Sequence, residues 1–541
     1  MLLVLLASFC EPLVADDEET KNATAIPSSD YLESHHAVIG EIFFDTENVF
    51  NPEIPGEDRY LYRLTNKLHI TTRPKIVQRQ LLFKTGDVFE QRLLDESERI
   101  LRSNNYLKNA VIEPIAYTDG VVDLLVHTTD VWTLDPRLSF GRSGGENNTT
   151  FGIRDANILG TGIYFGLFHK SGVDRDENQI RFYDRELGST RYALTMEYSD
   201  NSDGQRVEAS YGRPFYALEA PRALDISLIQ DDRIDSLYDR GDVQAEFRHQ
   251  IDQFRVSAGI SKGLKDGWVN RYSMGIQYDE HRFSSGIDET LPYTVIPADR
   301  KFIYPFVEWE LLEDRFEKTR NHNQIGRTED RYLGTRFDVR LGYASESLGS
   351  LNNAFLLGLG ASTGMGSSAS KSLLLSANYH TRLESGSLAN SLLSMEAIYH
   401  HRQSDLWLLH AAMSGSIGSN LDLDDPLLLG GDNGLRGFPL RYQGGDSRAL
   451  LTVEERLFTH WFPFRLIHVG AAVFMDVGRT WGNNPVGGDN LGWLSDVGFG
   501  FRFGNDRSGI GTVVHLDFAF PIGGESDISS VQVLLKGRSS F

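Results

Sequence analysis

The chain has 541 residues, and its 53 Lys and Arg against 75 Asp and Glu leave a net charge of −22. With 40% hydrophobic and 11% aromatic residues, the composition excludes a disordered or collagen-like chain. The cations are scattered, which argues against a nucleic-acid-binding surface. Because the mean hydropathy is −0.30 and no apolar run reaches the ~18 residues of a spanning helix, two classes remain. They are a large acidic soluble protein and a membrane β-barrel, whose alternating strands do not register in hydropathy averages.

Residues 1–15 are typical of a signal peptide, with an apolar stretch at residues 2–6 and Leu-Val-Ala before the acidic residues 16–19. No Lys or Arg precedes the apolar stretch, and a disordered hydrophobic tail is the alternative interpretation. Cys10 is the one cysteine and lies within this segment. We therefore expect an exported mature chain without cysteine, which excludes disulfides, thiolate nucleophiles and Cys-ligated metals.

A small mixed domain is predicted for residues 36–133, after a polar tail at 16–35. Residues 37–44 alternate like a strand, and a stretch rich in turn residues follows. Helical patterns cover 74–83 and 88–106, and strand patterns at 110–117 and 121–128 flank a turn at 118–120. The order is βααββ.

Two sequence motifs distinguish this domain, Leu-Leu-Phe-Lys-Thr-Gly-Asp-Val-Phe at 81–89 and Glu-Ser-Glu-Arg-Ile-Leu-Arg at 96–102. Together with the βααββ order they resemble a POTRA domain, the periplasmic polypeptide-transport-associated module. An exposed edge of such a small sheet can add an extended peptide as a further strand. The alternative roles are a rigid spacer and a plug of the barrel mouth.

Residues 134–541 show short segments of period-two alternation separated by Gly, Asn, Asp and Ser. In residues 513–520, for example, Val514 and Phe518 alternate with His515 and Asp517. About 400 residues of such strands are too many for one sandwich, so we predict a transmembrane antiparallel β-barrel. About twenty segments are countable. We nevertheless predict about 16 strands, on the resemblance described next. We interpret the charged stretch 312–331 as a solvated turn.

The most specific motif is Leu-Gly-Gly-Asp-Asn-Gly-Leu-Arg-Gly-Phe at residues 429–438. Its core, residues 435–438, matches the Val/Ile-Arg-Gly-Phe/Tyr loop of the outer-membrane barrel-assembly and two-partner-secretion superfamily, which includes BamA, TamA and FhaC. Five strand-like segments follow the motif, and this arrangement is similar to that family's sixth extracellular loop before the last five of sixteen strands. With one POTRA-like domain in front, the resemblance covers residues 36–541.

The resemblance implies a loop that folds back into the lumen, where acidic side chains of neighbouring strands hold its arginine. Arg436 corresponds to that arginine, Asp476 to its Asp partner, and Glu454 or Glu455 to a second acid. We prefer Glu454, because residues 453 and 457 lie on one face of the strand and residue 454 on the other. Val453 and Leu457 are apolar and suit the lipid-facing side, which leaves Glu454 on the lumenal side. The planar guanidinium can bind two carboxylates at once, which a lysine cannot. Gly434 and Gly437 allow the tight turn around Leu435, and Phe438 completes the motif. A surface hairpin with an incidental arginine is the alternative.

The C-terminal Phe541 resembles the outer-membrane targeting signal of such barrels, although Ser539 stands where an apolar or aromatic residue is common. The expected first strand, residues 137–141, would lie beside the last strand. This seam resembles the family's lateral gate, and we hypothesise that it opens to template client strands by edge augmentation.

No motif for catalysis, a cofactor or a metal is recognised, and the adjacent pairs His35-His36 and His400-His401 would point to opposite faces of a strand. The resemblance therefore implies a non-enzymatic outer-membrane assembly or translocation factor, with its POTRA domain in the periplasm of a Gram-negative cell. Its expected partners are client polypeptides, outer-membrane lipid and accessory periplasmic proteins or lipoproteins, and not nucleic acid. The alternatives are a dedicated two-partner secretion pore and a passive channel or surface antigen.

Overall fold

The computed structural model describes residues 26–488, 491–509, 513–523 and 528–538. The expected signal peptide, Cys10, Ser539 and Phe541 lie outside the described residues. A small α+β domain precedes a closed antiparallel barrel of 20 strands, which confirms the predicted fold class. The number of about 16 strands is wrong. The 20 strands match the raw count of alternating segments, whereas 16 came from the resemblance.

The N-terminal domain packs its helices against one face of a three-stranded sheet. Its elements are α1 (Ser29–Ser34), β1 (Val38–Glu47), α2 (Tyr60–Leu68), α3 (Pro74–Gln80), α4 (Gln91–Arg102), β2 (Leu107–Thr118) and β3 (Val121–Asp130). The sheet has the order β1-β3-β2, with β1 parallel and β2 antiparallel to β3. Phe89, Leu94 and Leu101 lie in the core between α4 and the sheet, because α4 is apolar on one face only.

Two helices of this domain are absent from the βααββ prediction. α1 lies within the segment predicted to be a polar tail, and its Leu32 is buried in the domain core. α2 lies in the stretch predicted to consist of turns. Both helices are short, with six and nine residues. Isolated helices of this length are not stable in water, so contacts with the rest of the domain stabilise them.

In the first half of the barrel, strands that are consecutive in the sequence are also neighbours in the wall. Its strands are β4 (Leu134–Ser143), β5 (Glu146–Asp155), β6 (Ile163–Ser171), β7 (Asp176–Asp184), β8 (Ala193–Asn201), β9 (Gly204–Arg213), β10 (Arg222–Asp239), β11 (Asp242–Lys265), β12 (Trp268–Ser285) and β13 (Arg300–Glu313). β4–β9 have nine or ten residues each, about the length of a tilted strand that crosses a bilayer.

The second half contains two extra pairs of strands that are not part of the barrel wall, β14 with β15 and β21 with β22. The strands are β14 (Phe316–Arg320), β15 (Thr328–Tyr332), β16 (Arg336–Ala344), β17 (Ala354–Gly366), β18 (Lys371–Glu384), β19 (Ser387–Arg402), β20 (Trp407–Ser419), β21 (Leu427–Leu429), β22 (Gln443–Gly445), β23 (Ser447–Phe458), β24 (His468–Trp481), β25 (Leu494–Gly504), β26 (Val513–Ile522) and β27 (Gln532–Arg538).

The barrel strands alternate between an apolar outer face and a polar inner face. On β26, Val514 and Phe520 are exposed, whereas His515 and Asp517 are buried inside. On β12, the exposed residues Tyr272, Met274 and Ile276 point outward in the same way. The apolar set therefore faces the surroundings of the barrel, and the polar set faces its lumen. No helix in the described part of the chain is long and apolar enough to cross a membrane.

Candidate functional site

The long loop between β20 and β23, residues 420–446, enters the barrel; we call it the lumenal loop. Its apolar residues Leu429, Leu435, Phe438 and Tyr442 form a buried cluster with Leu494 of β25. Gly437 passes so close to the wall that a Cβ atom there would lie 2.7 Å from Cβ of Asp496. The motif predicted from the sequence thus lies inside the barrel.

Arg436 is the charged centre of this loop, and only 3% of it is exposed. Its Nε and Nη2 donate to the two carboxylate oxygens of Asp476, at 2.7 and 2.9 Å, and its Nη1 donates to Oε1 of Glu454 at 2.7 Å. The structure therefore brings the three predicted residues together, and it places Glu454 rather than Glu455 at the arginine. We call Arg436, Glu454 and Asp476 the lumenal lock.

Four further residues lie around Arg436, and the loop motif did not identify them as part of the site. The guanidinium carbon lies 3.4 Å from the ring centroid of Phe474. Thr452 Oγ1 donates to Asp476 at 2.7 Å, and Asp496 accepts from the backbone N–H of Gly437 at 2.9 Å. Asp517 lies 3.7 Å from Arg436. These four residues occupy the alternate positions of β23–β26 that face the lumen, and this alternation is the sequence signal that could have identified them.

The seam between the last strand, β27, and the first strand, β4, is weakly paired in the described residues. Every residue of β27 has a partner on β26, but a single pair, Leu535 opposite Arg142, joins β27 to β4. A cleft runs along the seam, lined by Phe140 of β4, Val514 of β26 and Leu535. The weakest strand pairing described in the barrel wall is therefore at the seam.

The lumenal loop bridges this seam from inside. The carbonyl of Gly431 accepts a hydrogen bond from Ser143 Oγ of β4 at 2.7 Å and another from Lys536 Nζ of β27 at 2.8 Å. The turn after β4 also touches the loop, since a Cβ on Gly431 would lie 2.8 Å from Cα of Gly144. One loop residue thus connects both strands of the seam.

The hairpin β14–β15, residues 316–332, lies in the opposite mouth of the barrel, and we call it the mouth hairpin. Its Ile325 packs in a buried cluster with Leu408, Phe458, Ala472 and Val513 of the barrel strands. The interpretation of residues 312–331 as a solvated turn is therefore wrong. The charged residues of this stretch are held by partners in the barrel and in the N-terminal domain, which pattern alone does not reveal.

A row of polar side chains leads from the mouth hairpin towards the lumenal lock. Arg331 donates to Ser368 and Ser372 at 3.0 and 2.8 Å, and its Nη2 lies 3.2 Å from Nδ1 of His400. His400 Nε2 is in turn 2.9 Å from Nδ1 of His410. His410 stands directly opposite Glu454 in the register of β20 and β23.

The N-terminal domain docks on the mouth hairpin through charged contacts. Arg102 of α4 donates to both oxygens of Asp330 at 2.8 and 2.7 Å, and Lys318 forms an ion pair with Glu98. Arg327 donates to the carbonyl of Leu107 at 2.6 Å. The hairpin therefore lies between the domain and the lumen and contacts both.

The turn between β25 and β26 provides a second docking contact, outside the barrel strands. Lys108 lies 2.7 Å from Asp506, and the ring of His468 lies 3.5 Å from it. Burial by itself would raise the pKa of Asp506, but His468 and Lys108 together outweigh it and lower that pKa to about 2. The docked carboxylate is thus strongly stabilised in its charged form.

One group of side chains in the described residues converges closely enough to consider a metal ion, namely His249, His281 and Asp424, whose ligand atoms lie within 4.8 Å of one another. The two imidazoles are 2.8 Å apart, and their other nitrogens lie 2.7 Å from Asp235 and 3.1 Å from Asp279. Arg300 donates to both oxygens of Asp424. These hydrogen bonds already account for the convergence of the side chains, so we assign no metal there.

Comparison with solved structures finds similar barrels. BamA from Haemophilus ducreyi lacking POTRA domains 1–3 is 13% identical, with 93% of this chain and 85% of that chain covered and a TM-score of 0.42. CdiB from Acinetobacter baumannii is 13% identical over 93% of this chain and 73% of that chain, with a TM-score of 0.46. CdiB from Escherichia coli is 12% identical over 93% and 76%, with a TM-score of 0.47.

No family model matches the chain, and no curated protein matches it. The identities and TM-scores of the solved structures are too low to assign the chain to a family or to support an argument about its function. The geometry of the loop, the seam and the mouth hairpin therefore carries the functional argument.

Proposed function

We propose that the chain is an outer-membrane assembly factor that assists the insertion or export of other polypeptides, as the resemblance of its loop motif implies. The apolar outer face and the strand lengths support a barrel that spans a membrane, because a transmembrane barrel is apolar outside and polar inside. In this proposal the N-terminal domain faces the periplasm and the lumenal loop enters from the cell surface. The protein works without covalent catalysis or a cofactor.

Two segments inside the barrel argue against a permanently open channel, because each of them occupies part of the lumen. The lumenal loop, with the buried Arg436, occupies the barrel from one side, and Ile325 of the mouth hairpin packs among barrel residues at the other. A channel needs a continuous water-filled path. In the proposed mechanism, transport requires that the loop, the hairpin or the barrel wall moves first.

The observation that carries the proposal is that, in the described residues, one residue pair alone joins β27 to β4. A closed barrel normally protects every strand edge, because an exposed edge pairs with other chains. Here the edge strands are joined by little backbone pairing and by two side-chain bonds to Gly431. Opening the seam would expose β4 and β27 as templates on which a client strand can form hydrogen bonds.

The N-terminal sheet suits a role in capturing clients before they reach the seam. In the sheet order β1-β3-β2, the strands β1 and β2 are edges. An extended client segment can add to such an edge through main-chain hydrogen bonds, which recognise any sequence. Docking on the mouth hairpin holds this sheet at the barrel entrance.

A disulfide across the seam tests the proposal. Arg142 and Leu535 are directly opposite each other, and cross-strand neighbours are close enough for a disulfide. We expect that a chain with Arg142→Cys, Leu535→Cys and Cys10→Ser supports outer-membrane protein assembly when reduced and fails when oxidised, in cells depleted of the native protein. Levels of outer-membrane and secreted proteins provide the measurement.

The control is a disulfide between Ala377 and Met395, which are opposite each other in the extensively paired strands β18 and β19. This crosslink leaves the seam free, so activity should persist. Normal levels of all clients with a completely crosslinked seam would refute the proposed gating. Loss of one secreted protein alone would indicate a dedicated secretion pore instead, and a stable conductance with unchanged clients would indicate a channel.

A further inference from the structure

The helix α2 of the N-terminal domain exposes large apolar side chains to the surroundings. Tyr60 is 71% exposed, Leu61 68% and Leu68 64%, and Leu64 is also exposed. At 3.6 residues per turn, these four residues fall within about 100° of the helix circumference. We call Tyr60, Leu61, Leu64 and Leu68 the apolar arc of α2.

The opposite face of α2 already holds the helix in the protein. Tyr62 is buried in a cluster with Val49 and Phe50, and its ring stacks on Phe50 with centroids 4.4 Å apart. Asn66 donates to the carbonyl of Phe50 at 2.7 Å. The arc is therefore a second apolar face, which the fold of the domain does not need.

The arc adjoins an exposed apolar turn at the rim of the barrel. Trp461 is 64% exposed and Phe464 71% in the turn between β23 and β24. Tyr62 donates its hydroxyl proton to the carbonyl of Phe464, and Leu466 of the same turn packs against the Tyr62 cluster. α2 and this turn thus form one surface, which continues into the outward face of the barrel at the exposed Ile467.

Cations border the apolar arc. Lys67 and Arg63 lie next to Tyr60 on the helix circumference, and both are exposed. Arg465 of the rim turn is also exposed, and it donates to the carbonyl of Pro55 at 3.2 Å. An apolar face with Tyr, Trp and Phe beside Lys and Arg is the composition of a helix that lies in the interface of a bilayer, with its cations at the lipid phosphates.

We propose that α2 lies in the surface of the same bilayer that holds the barrel, with its apolar arc among the lipid chains and Lys67 at the phosphate groups. Together with the rim turn, the helix fixes the N-terminal domain against the periplasmic leaflet. The inference rests on the proposed membrane-spanning barrel. It goes beyond the proposed function by naming a lipid-binding surface on the N-terminal domain itself.

Lipid quenching of single fluorescent labels tests the placement of α2. In a Cys10→Ser chain reconstituted in phosphatidylcholine and phosphatidylglycerol vesicles, a label is placed at Leu64→Cys, at Met274→Cys on the barrel, or at Lys84→Cys on the domain. We expect spin-labelled lipid with a shallow nitroxide to quench the label at position 64, and lipid with a deep nitroxide to quench the label at 274. The label at 84 should respond only to aqueous iodide.

The outcomes separate the two proposals. Quenching at 274 but not at 64 would overturn the membrane contact of α2 and leave the spanning barrel intact. No lipid quenching at either position would overturn the spanning barrel as well. Protection of position 64 from both lipid and iodide would show that protein covers the arc, either a second copy or a partner, and would also overturn the inference.

A charge substitution gives a second test that does not depend on labels. Leu61→Glu with Leu68→Glu places two carboxylates in the arc, and we expect the N-terminal domain to become more accessible to proteases in vesicles than in the unmodified chain. Ile115→Glu, an exposed apolar residue of β2 outside the arc, is the matched control and should change nothing. Unchanged protease accessibility in the double variant would contradict the inference.

Discussion

Lys536 on the last barrel strand and Gly431 in the lumenal loop are joined by a hydrogen bond of 2.8 Å, from the ammonium to the backbone carbonyl. Ser143 on the first strand donates to the same carbonyl. The loop therefore holds together two strands that pair with each other at one residue only in the described chain. Opening the seam requires both bonds to Gly431 to break or the loop to move with one of the strands.

We expect Lys536→Met to weaken the closed seam, because a hydrogen bond from a charged group contributes about 2 kcal/mol. Hydrogen exchange of the amides of β4 should become faster, and Ser143→Ala should add to the effect. Lys265→Met, at the exposed end of β11, is the control for loss of a lysine. Unchanged exchange in both Lys536→Met and Ser143→Ala would show that the loop does not hold the seam.

We expect Arg436→Ala to release the lumenal loop and abolish function while the barrel still folds. Removing one member of a buried ion pair lowers the free energy of unfolding by about 4 kcal/mol. The barrel should nevertheless fold, because the strands that carry Glu454 and Asp476 remain paired along their length. Heat-modifiable migration on gels measures barrel folding, and growth of a depleted strain measures function. Arg436→Lys should be intermediate, since an ammonium cannot bind Asp476 through two parallel bonds.

The control for this substitution is Arg441→Ala in the same loop. Arg441 also binds a carboxylate with two bonds, but its partner Asp174 is 45% exposed, whereas Asp476 is fully buried. Because solvent screens a partly exposed pair, Arg441→Ala should impair growth less than Arg436→Ala. Normal growth with Arg436→Ala would contradict the role of the lumenal lock.

Gly144 tests how closely the turn after β4 must approach the lumenal loop. Its φ is +55°, and a Cβ there would lie 2.4 Å from the backbone nitrogen of Leu440. Gly145 also has a positive φ, of +89°, but its Cβ would meet open space. Gly144→Ala should therefore lower thermal stability more than Gly145→Ala, which contributes only the left-handed backbone strain of about 1 kcal/mol. Equal effects would mean that the contact with the loop does not matter.

Asp330→Asn should loosen the docking of the N-terminal domain on the mouth hairpin. The substitution removes the charge that accepts two hydrogen bonds from Arg102, which corresponds to about 2 kcal/mol. Hydrogen exchange of residues 316–332 should increase. Asp58→Asn, at the exposed pair with Arg63, should have no such effect, and equal exchange in both variants would contradict the docking role.

The pH dependence of docking should reflect Asp506. Its pKa is lowered to about 2 in the folded chain from the usual 3.8, so its contribution is complete above the unfolded pKa and is lost as the pH falls through about 2. Cleavage of the N-terminal domain by pepsin should therefore increase as the pH falls from 3.8 to about 2. In Asp506→Asn this part of the pH dependence should disappear, and its persistence would assign the transition to another group.

Local patterns predicted much of this protein correctly. Alternation of period two depends only on which face of a strand each side chain occupies, so the barrel class and the inward parity of Glu454 could be inferred from neighbouring residues. The placement of Arg436 beside Asp476 followed from the resemblance of the motif. The predicted number of strands was wrong because sixteen came from that resemblance, whereas the alternating segments of the sequence indicate about twenty strands.

The amino-acid sequence by itself determined the mainly β fold and the small domain in front of it, and the resemblance of its loop motif implied the residues of the lumenal lock. Only the tertiary structure decided that twenty strands close the barrel, that the charge-rich hairpin 316–332 lies in its mouth and that Gly431 joins the seam. The physical reason is distance along the chain. Ser143, Gly431 and Lys536 meet through closure of the whole barrel, and a pattern of adjacent residues carries no information about such a contact.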